Sequence, residues 1–152
     1  MWTKIAIASL FGVICASSAI ASDSGRQYFE QAPSPTGTAL PFSEAVMVGD
    51  TLYVAGHIGL DPKTQKAPNN IDTEAHAVMD SVKHTVESAG LHMDDLVSVT
   101  IYCTDLELYD GFNTVYRTYF HGHFPARAFI GVSGLVRGAH FEVVAVATKP
   151  GH

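Results

Sequence analysis

Short apolar or alternating segments are interspersed along this chain with two longer segments in which apolar residues recur every three or four positions. The short segments predict β-strands, and the longer ones predict amphipathic helices. The predicted strands are 46–48, 52–55, 97–102, 128–132 and 141–147. The predicted helices are 71–89, which Asp72 or Thr73 would cap and Gly90 would end, and 109–120.

The order of these elements indicates one α+β domain. It runs strand, strand, helix, strand, helix, strand, strand, with no internal repeat. We expect a single mixed β-sheet of about six strands with two helices on one face. The other face would remain apolar and uncovered, so the sequence predicts a homo-oligomer in which the sheets pack together.

The N-terminus has the order of a secretory signal peptide over residues 1–21. Lys4 precedes an apolar stretch, and Ala19-Ile20-Ala21 is a small-x-small cleavage site. The apolar stretch is short for a membrane span, which disfavours an uncleaved anchor. Residues 22–38, rich in Ser, Gly, Pro and Gln, predict a flexible leader before a domain at 39–148. We therefore expect a secreted or periplasmic protein that leaves the membrane after cleavage.

The net charge limits the expected binding partners, and the cysteine content limits the expected disulfides. The formal net charge is −6, and it becomes −7 when Lys4 is removed with the signal peptide. An acidic chain without a basic cluster is poorly suited to a phosphate backbone, so no nucleic-acid partner is expected. Cys103 would be the only remaining cysteine, which excludes an internal disulfide and favours a buried, inert thiol.

Several histidines could suggest a metal site, most clearly the pair His121 and His123. The pair lacks a cysteine or an acidic third ligand nearby, so surface histidines are the favoured interpretation and no metal is expected.

Two charged residues stand alone in apolar strand segments. Arg127 begins one such segment, and Glu142 lies inside another. A buried guanidinium must be paired with an acid or face a cavity, and its planar fork of donors matches a carboxylate. From these residues alone, a structural ion pair and a clamp for a carboxylate ligand both remain open.

Seven short motifs, in order along residues 40–147, resemble those of the RidA (YjgF) family. They are Pro41-Phe42-Ser43-Glu44-Ala45, Val54-Ala55-Gly56-His57-Ile58 with Asp61-Pro62, Ala89-Gly90-Leu91, Asp94-Asp95-Leu96-Val97, Asn113-Thr114-Val115-Tyr116, Phe124-Pro125-Ala126-Arg127, and Glu142 in the last strand. The resemblance implies a chorismate-mutase-like fold and a homotrimer with sites in the clefts between subunits. It also implies cofactor-free hydrolysis of reactive 2-imino and 2-enamino acids to 2-keto acids and ammonia.

The resemblance further implies roles for individual residues. Arg127 would bind the substrate carboxylate, and Glu142 would polarise the attacking water. The implied substrate-binding residues are Phe42, Gly56, His57, Asn113 and Ala128.

The chain departs from the family pattern at positions that usually carry hydroxyl groups. Phe42 stands where tyrosine is usual, Ala55 where serine is usual, and Ala128 where serine or threonine is usual. His57 replaces a glutamine and could either donate a proton or only fill its space. These departures support an alternative function, a non-catalytic module that binds a small carboxylate. Endoribonuclease activity, also attributed to some family members, is disfavoured by the acidic charge.

Overall fold

A computed structural model describes residues 25–30 and 40–151. The predicted signal peptide and most of the predicted leader lie outside the described residues. Six strands and two α-helices are formed, in the order β1 Arg26–Phe29, β2 Ala45–Val48, β3 Thr51–Ile58, α1 Ile71–Ser88, β4 Leu96–Cys103, α2 Tyr109–Tyr116, β5 Ala126–Gly131 and β6 Phe141–Thr148. Neither helix in this part of the chain is long and apolar enough to cross a membrane.

The strands form one mixed sheet in the order β1-β2-β3-β6-β4-β5. Only β4 and β5 run parallel, and the other neighbours are antiparallel. The last strand therefore lies at the centre, and β5 forms an edge. The predicted α+β architecture, one mixed sheet of about six strands, is confirmed.

Alternation in β6 shows how the sheet divides its two faces. Phe141, Val143, Ala145 and Ala147 are buried on the side of the helices, whereas Glu142 and its alternating neighbours point to the other side. The helices cover one face only, as the sequence predicts. We call the opposite side the uncovered face; its apolar residues include Val48, Tyr53, Ile130, Val144 and Val146.

The long helix α1 begins and ends where side chains and backbone satisfy its terminal groups. Asn70 is the N-cap, and its Oδ1 accepts a hydrogen bond from the backbone N–H of Thr73 at 2.9 Å. The expected caps, Asp72 and Thr73, instead lie inside the first turn, because Asn70 has the extended backbone that a cap requires. Gly90 follows the helix at φ +77°, a conformation that favours glycine, so the predicted helix stop is confirmed.

Strand β1 lies inside the segment predicted as a flexible leader. Arg26–Phe29 pair in antiparallel register with Ala45–Val48, so this part of the leader prediction is wrong. The four residues contain two aromatic side chains, and β2 offers an unpaired edge with which they form backbone hydrogen bonds. Composition alone, dominated by the neighbouring Ser, Gly and Pro residues, conceals so short a strand.

Candidate active site

Arg127 points toward the side of the sheet that the helices cover. Within the sheet it lies opposite Val99, which in turn lies opposite the buried residue Ala145. Because facing residues in neighbouring strands share a side of the sheet, the guanidinium lies on the helix side at the edge strand. It is partly buried there.

A cavity of about 220 Å³ opens beside this guanidinium. Its lining residues are Tyr109, Asn113, Tyr116, Arg117, Phe124, Pro125 and Arg127. Tyr109, Asn113 and Tyr116 are spaced by four and three residues, so α2 presents them on one face. One helix face and the edge strand therefore form the walls of the cavity.

Aromatic groups hold Arg127 in place. Its Cζ lies 4.7 Å from the centroid of the Tyr116 ring and 5.6 Å from that of Tyr109. Its Nη2 donates a hydrogen bond to Tyr109 Oη at 3.3 Å. Among the described residues, the ion pairs do not include Arg127. Of the two interpretations that the sequence left open, the geometry favours a guanidinium that is free to bind an external anion.

Tyr116, which lines the same cavity, carries a buried hydroxyl. The residue is 3% exposed, and its buried hydroxyl has no hydrogen-bond partner in the described structure. Burial raises the pKa of Tyr116 to about 12, although the nearby Arg127 opposes the shift. The phenol is therefore neutral near pH 7 and keeps its proton.

Glu142 lies on the uncovered face, beside a bulge in β3. The pairing of β3 with β6 shifts between Val54 and His57, where two residues of β3 oppose one of β6. Gly56 lies in this bulge, and a Cβ atom at Gly56 would overlap the carboxylate of Glu142. The glycine therefore makes room for the carboxylate to lie against the strand.

The two predicted catalytic residues do not come together within one protomer. They lie on the strands that flank β4, opposite Val99 and Tyr102 respectively, and on opposite faces of the sheet. At about 4.8 Å between strands and about 3.3 Å per residue, their Cα atoms are roughly 14 Å apart. We call the cavity residues around Arg127 the arginine half-site, and Glu142 with Gly56 the glutamate half-site.

The other predicted substrate-binding residues are divided between these places. Asn113 lies in the arginine half-site. Ala128 is exposed on the uncovered face, in register with Thr100 and, beyond it, Val144. Phe42 precedes β2, and its side chain is 52% exposed.

His57 lies on the helix side of the sheet, away from Glu142. Its Nδ1 is 2.8 Å from Ser81 Oγ, and its Nε2 is 3.3 Å from Thr85 Oγ1, both in α1. Burial lowers the pKa of His57, partly opposed by the nearby Glu44. The neutral ring therefore fills the space between sheet and helix, with each nitrogen matched to a hydroxyl group, which is the space-filling role that the sequence left open.

A buried carboxylate anchors the start of the strand that carries Glu142. Glu74 in α1 is fully buried, and its Oε1 accepts hydrogen bonds from the backbone N–H groups of His140 and Phe141 at 2.5 and 3.1 Å. Its Oε2 lies 2.7 Å from Nδ1 of His140, which is partly exposed. This Glu74 cluster, formed by Glu74, His140 and Phe141, links α1 to β6 one residue before Glu142.

Sequence reasoning did not identify the roles of Tyr109, Arg117 or Glu74. A signal for Tyr109 was available, because its spacing from Asn113 and Tyr116 places all three on one helix face. No comparable signal marks Glu74, since a glutamate in a helix is usually exposed to solvent.

Comparisons with known proteins agree with this fold. The profile of the family described as Endoribonuclease L-PSP matches residues 29–149. A RutC family protein of Saccharolobus solfataricus is 39% identical over 123 residues, covering 80% of this chain and 95% of that protein. The 2-iminobutanoate/2-iminopropanoate deaminase of Mus musculus is 34% identical over 120 residues, covering 78% of this chain and 87% of the mouse protein.

A solved structure shows the same architecture. The crystal structure of the YjgF gene product of E. coli superimposes with a TM-score of 0.73 at 28% identity, covering 82% of this chain and 99% of that one. Because the family profile spans most of the chain and the relatives match over nearly their whole length, this chain belongs to the Endoribonuclease L-PSP family, the RidA (YjgF) family that its seven motifs resemble.

Proposed function

We propose that this protein hydrolyses small, reactive 2-imino and 2-enamino acids to 2-keto acids and ammonia. The observation that carries the proposal is Arg127, a guanidinium that lines a small cavity and has no acidic partner among residues 25–30 and 40–151. Relatives named 2-iminobutanoate/2-iminopropanoate deaminase support the reaction type.

The reaction adds water to the imine carbon and removes ammonia. Two nitrogens of Arg127 hold the substrate carboxylate, which fixes the adjacent imine carbon in place. Glu142 accepts a proton from water as the water oxygen bonds to that carbon. That proton passes to the substrate nitrogen, which gives a carbinolamine. The proton of its new hydroxyl group then also moves to the nitrogen, the C=O bond forms as the C–N bond breaks, and ammonia and the 2-keto acid leave. An imine carbon is already electrophilic, so the scheme uses no cofactor.

A second copy of the chain completes the site in this proposal. The two half-sites of one protomer lie on opposite faces, so Arg127 of one copy must meet Glu142 of another. A cyclic homotrimer satisfies this condition, because each of its interfaces joins two different surfaces of the same chain. The apolar uncovered face, with Tyr53 and Ile130 more than 40% exposed, supplies the surface that such packing would bury.

The direct test measures keto acid and ammonia release from freshly generated 2-iminopropanoate and 2-iminobutanoate. We expect the purified protein to accelerate both products well beyond the rate in buffer. A rate equal to that in buffer would contradict the proposal. If keto acids then still raise the melting temperature, the result favours the alternative, a module that binds small carboxylates without turnover.

A further inference from the structure

The cavity that contains Arg127 also contains a second guanidinium. Arg117 follows α2 directly and lines the same cavity of about 220 Å³. Its Cζ lies 5.9 Å from the centroid of the Phe124 ring. In the part of the chain that the structure describes, the ion pairs do not include Arg117 either. The described residues that line the cavity include no aspartate or glutamate.

Two positively charged side chains, the partly buried Arg127 and the exposed Arg117, line this one small cavity and repel each other. The repulsion becomes weaker when an anion lies between them, so the arrangement favours a ligand with more negative charge than a single carboxylate. The aromatic rings of Tyr116 and Phe124 line the cavity beside the two guanidinium groups, with Arg127 next to Tyr116 and Arg117 next to Phe124.

The cavity also fits a small ligand with several acceptor atoms. Its volume lies below the roughly 300–1,000 Å³ of pockets for drug-sized molecules. Tyr116 lines the cavity with its ring beside Arg127. A compact molecule with two carboxylates would use both guanidinium groups.

We propose that the preferred substrates are 2-imino acids whose short side chain ends in a second carboxylate. The reaction in this proposal rests on the proposed function. The preference for a second carboxylate rests only on the two arginines that line the cavity. Arg127 holds the carboxylate next to the imine carbon, and Arg117 holds the carboxylate at the end of the side chain. The hydrolysis itself is unchanged: water adds, ammonia leaves, and a dicarboxylic 2-keto acid is formed.

The test compares ligands with one and with two carboxylates. Calorimetry with 2-oxobutanoate and 2-oxoglutarate measures binding whether or not the protein turns over imines. We expect 2-oxoglutarate to bind at least about tenfold more tightly, since one additional charge-assisted hydrogen bond contributes about that much. The Arg117→Gln variant should lose most of this preference, whereas Arg117→Lys should retain part of it.

A matched control separates a local effect from a change in total charge. Arg26 lies exposed in β1, and Arg26→Gln removes the same charge outside the cavity. This variant should keep the wild-type preference for 2-oxoglutarate. Equal affinities for the two ligands in the wild type, or a preference that survives Arg117→Gln, would overturn the inference. Absence of imine hydrolysis with the binding preference intact would instead contradict only the proposed function.

Discussion

Replacing Arg127 with alanine is expected to lower kcat/KM for 2-iminopropanoate roughly a hundredfold or more. A hydrogen bond to a charged group contributes about 1.5–3 kcal/mol, and the substitution removes both bonds to the substrate carboxylate. The substrate would also lose the orientation that places its imine carbon near the attacking water. Steady-state kinetics with freshly generated imine measures the effect.

The Arg127→Lys variant provides the matched control. Lysine keeps the positive charge but cannot hold a carboxylate with two parallel bonds, so its activity should lie between those of wild type and Arg127→Ala. Both variants should keep the fold, because Arg127 contacts the rings of Tyr109 and Tyr116 at the sheet edge without an ion pair. An Arg127→Ala enzyme with activity near that of wild type would rule out the clamp.

Replacing Glu74 with alanine is expected to lower the free energy of unfolding by about 2–5 kcal/mol, because each buried donor left without an acceptor costs about 1–3 kcal/mol. Two backbone N–H groups, at His140 and Phe141, would lose their acceptor. The ring of His140 would also lose its partner. Urea denaturation at a fixed protein concentration measures the change, since assembly contributes to apparent stability.

The Glu74→Gln variant distinguishes hydrogen bonding from simple space filling. The amide oxygen of glutamine can still accept from both backbone N–H groups, so the expected loss is smaller, about 1–2 kcal/mol. An alanine variant within 1 kcal/mol of wild type, on the order of one hydrogen bond, would show that the Glu74 cluster does not anchor β6.

Hydrophobic periodicity predicted most of the fold because each helix and most strands bury a regular face. Strand β6 alternates without interruption, and α1 carries a continuous apolar stripe. Strand β1 was missed because its stabilising contacts, pairing with β2 and packing of Phe29 against the core, involve residues distant in sequence. The cap at Asn70 was missed because Asp72 and Thr73 are equally suitable residue types, and only backbone conformation distinguishes among them.

The candidate site was harder to predict. Alternation within one strand shows that neighbouring residues face opposite sides of the sheet, but not which of these sides the helices cover. Arg127 and Glu142 each stand out in their own strand, yet only the register through β4 shows that they lie on opposite faces. A similar limit applies to Glu74, whose burial depends on the position of β6 against α1. The sequence therefore offers Arg127 and Glu142 as candidate residues but does not show that they lie on opposite faces of the sheet.

The most direct measurement of the central claim, that two copies build each site, mixes two inactive variants. Arg127→Ala and Glu142→Gln protomers are unfolded, combined in equal amounts and refolded together, and imine hydrolysis is then measured. With random assembly, about a quarter of the clefts join an intact Arg127 to an intact Glu142. We expect about a quarter of the wild-type activity, whereas a mixture no more active than either variant alone would contradict the account.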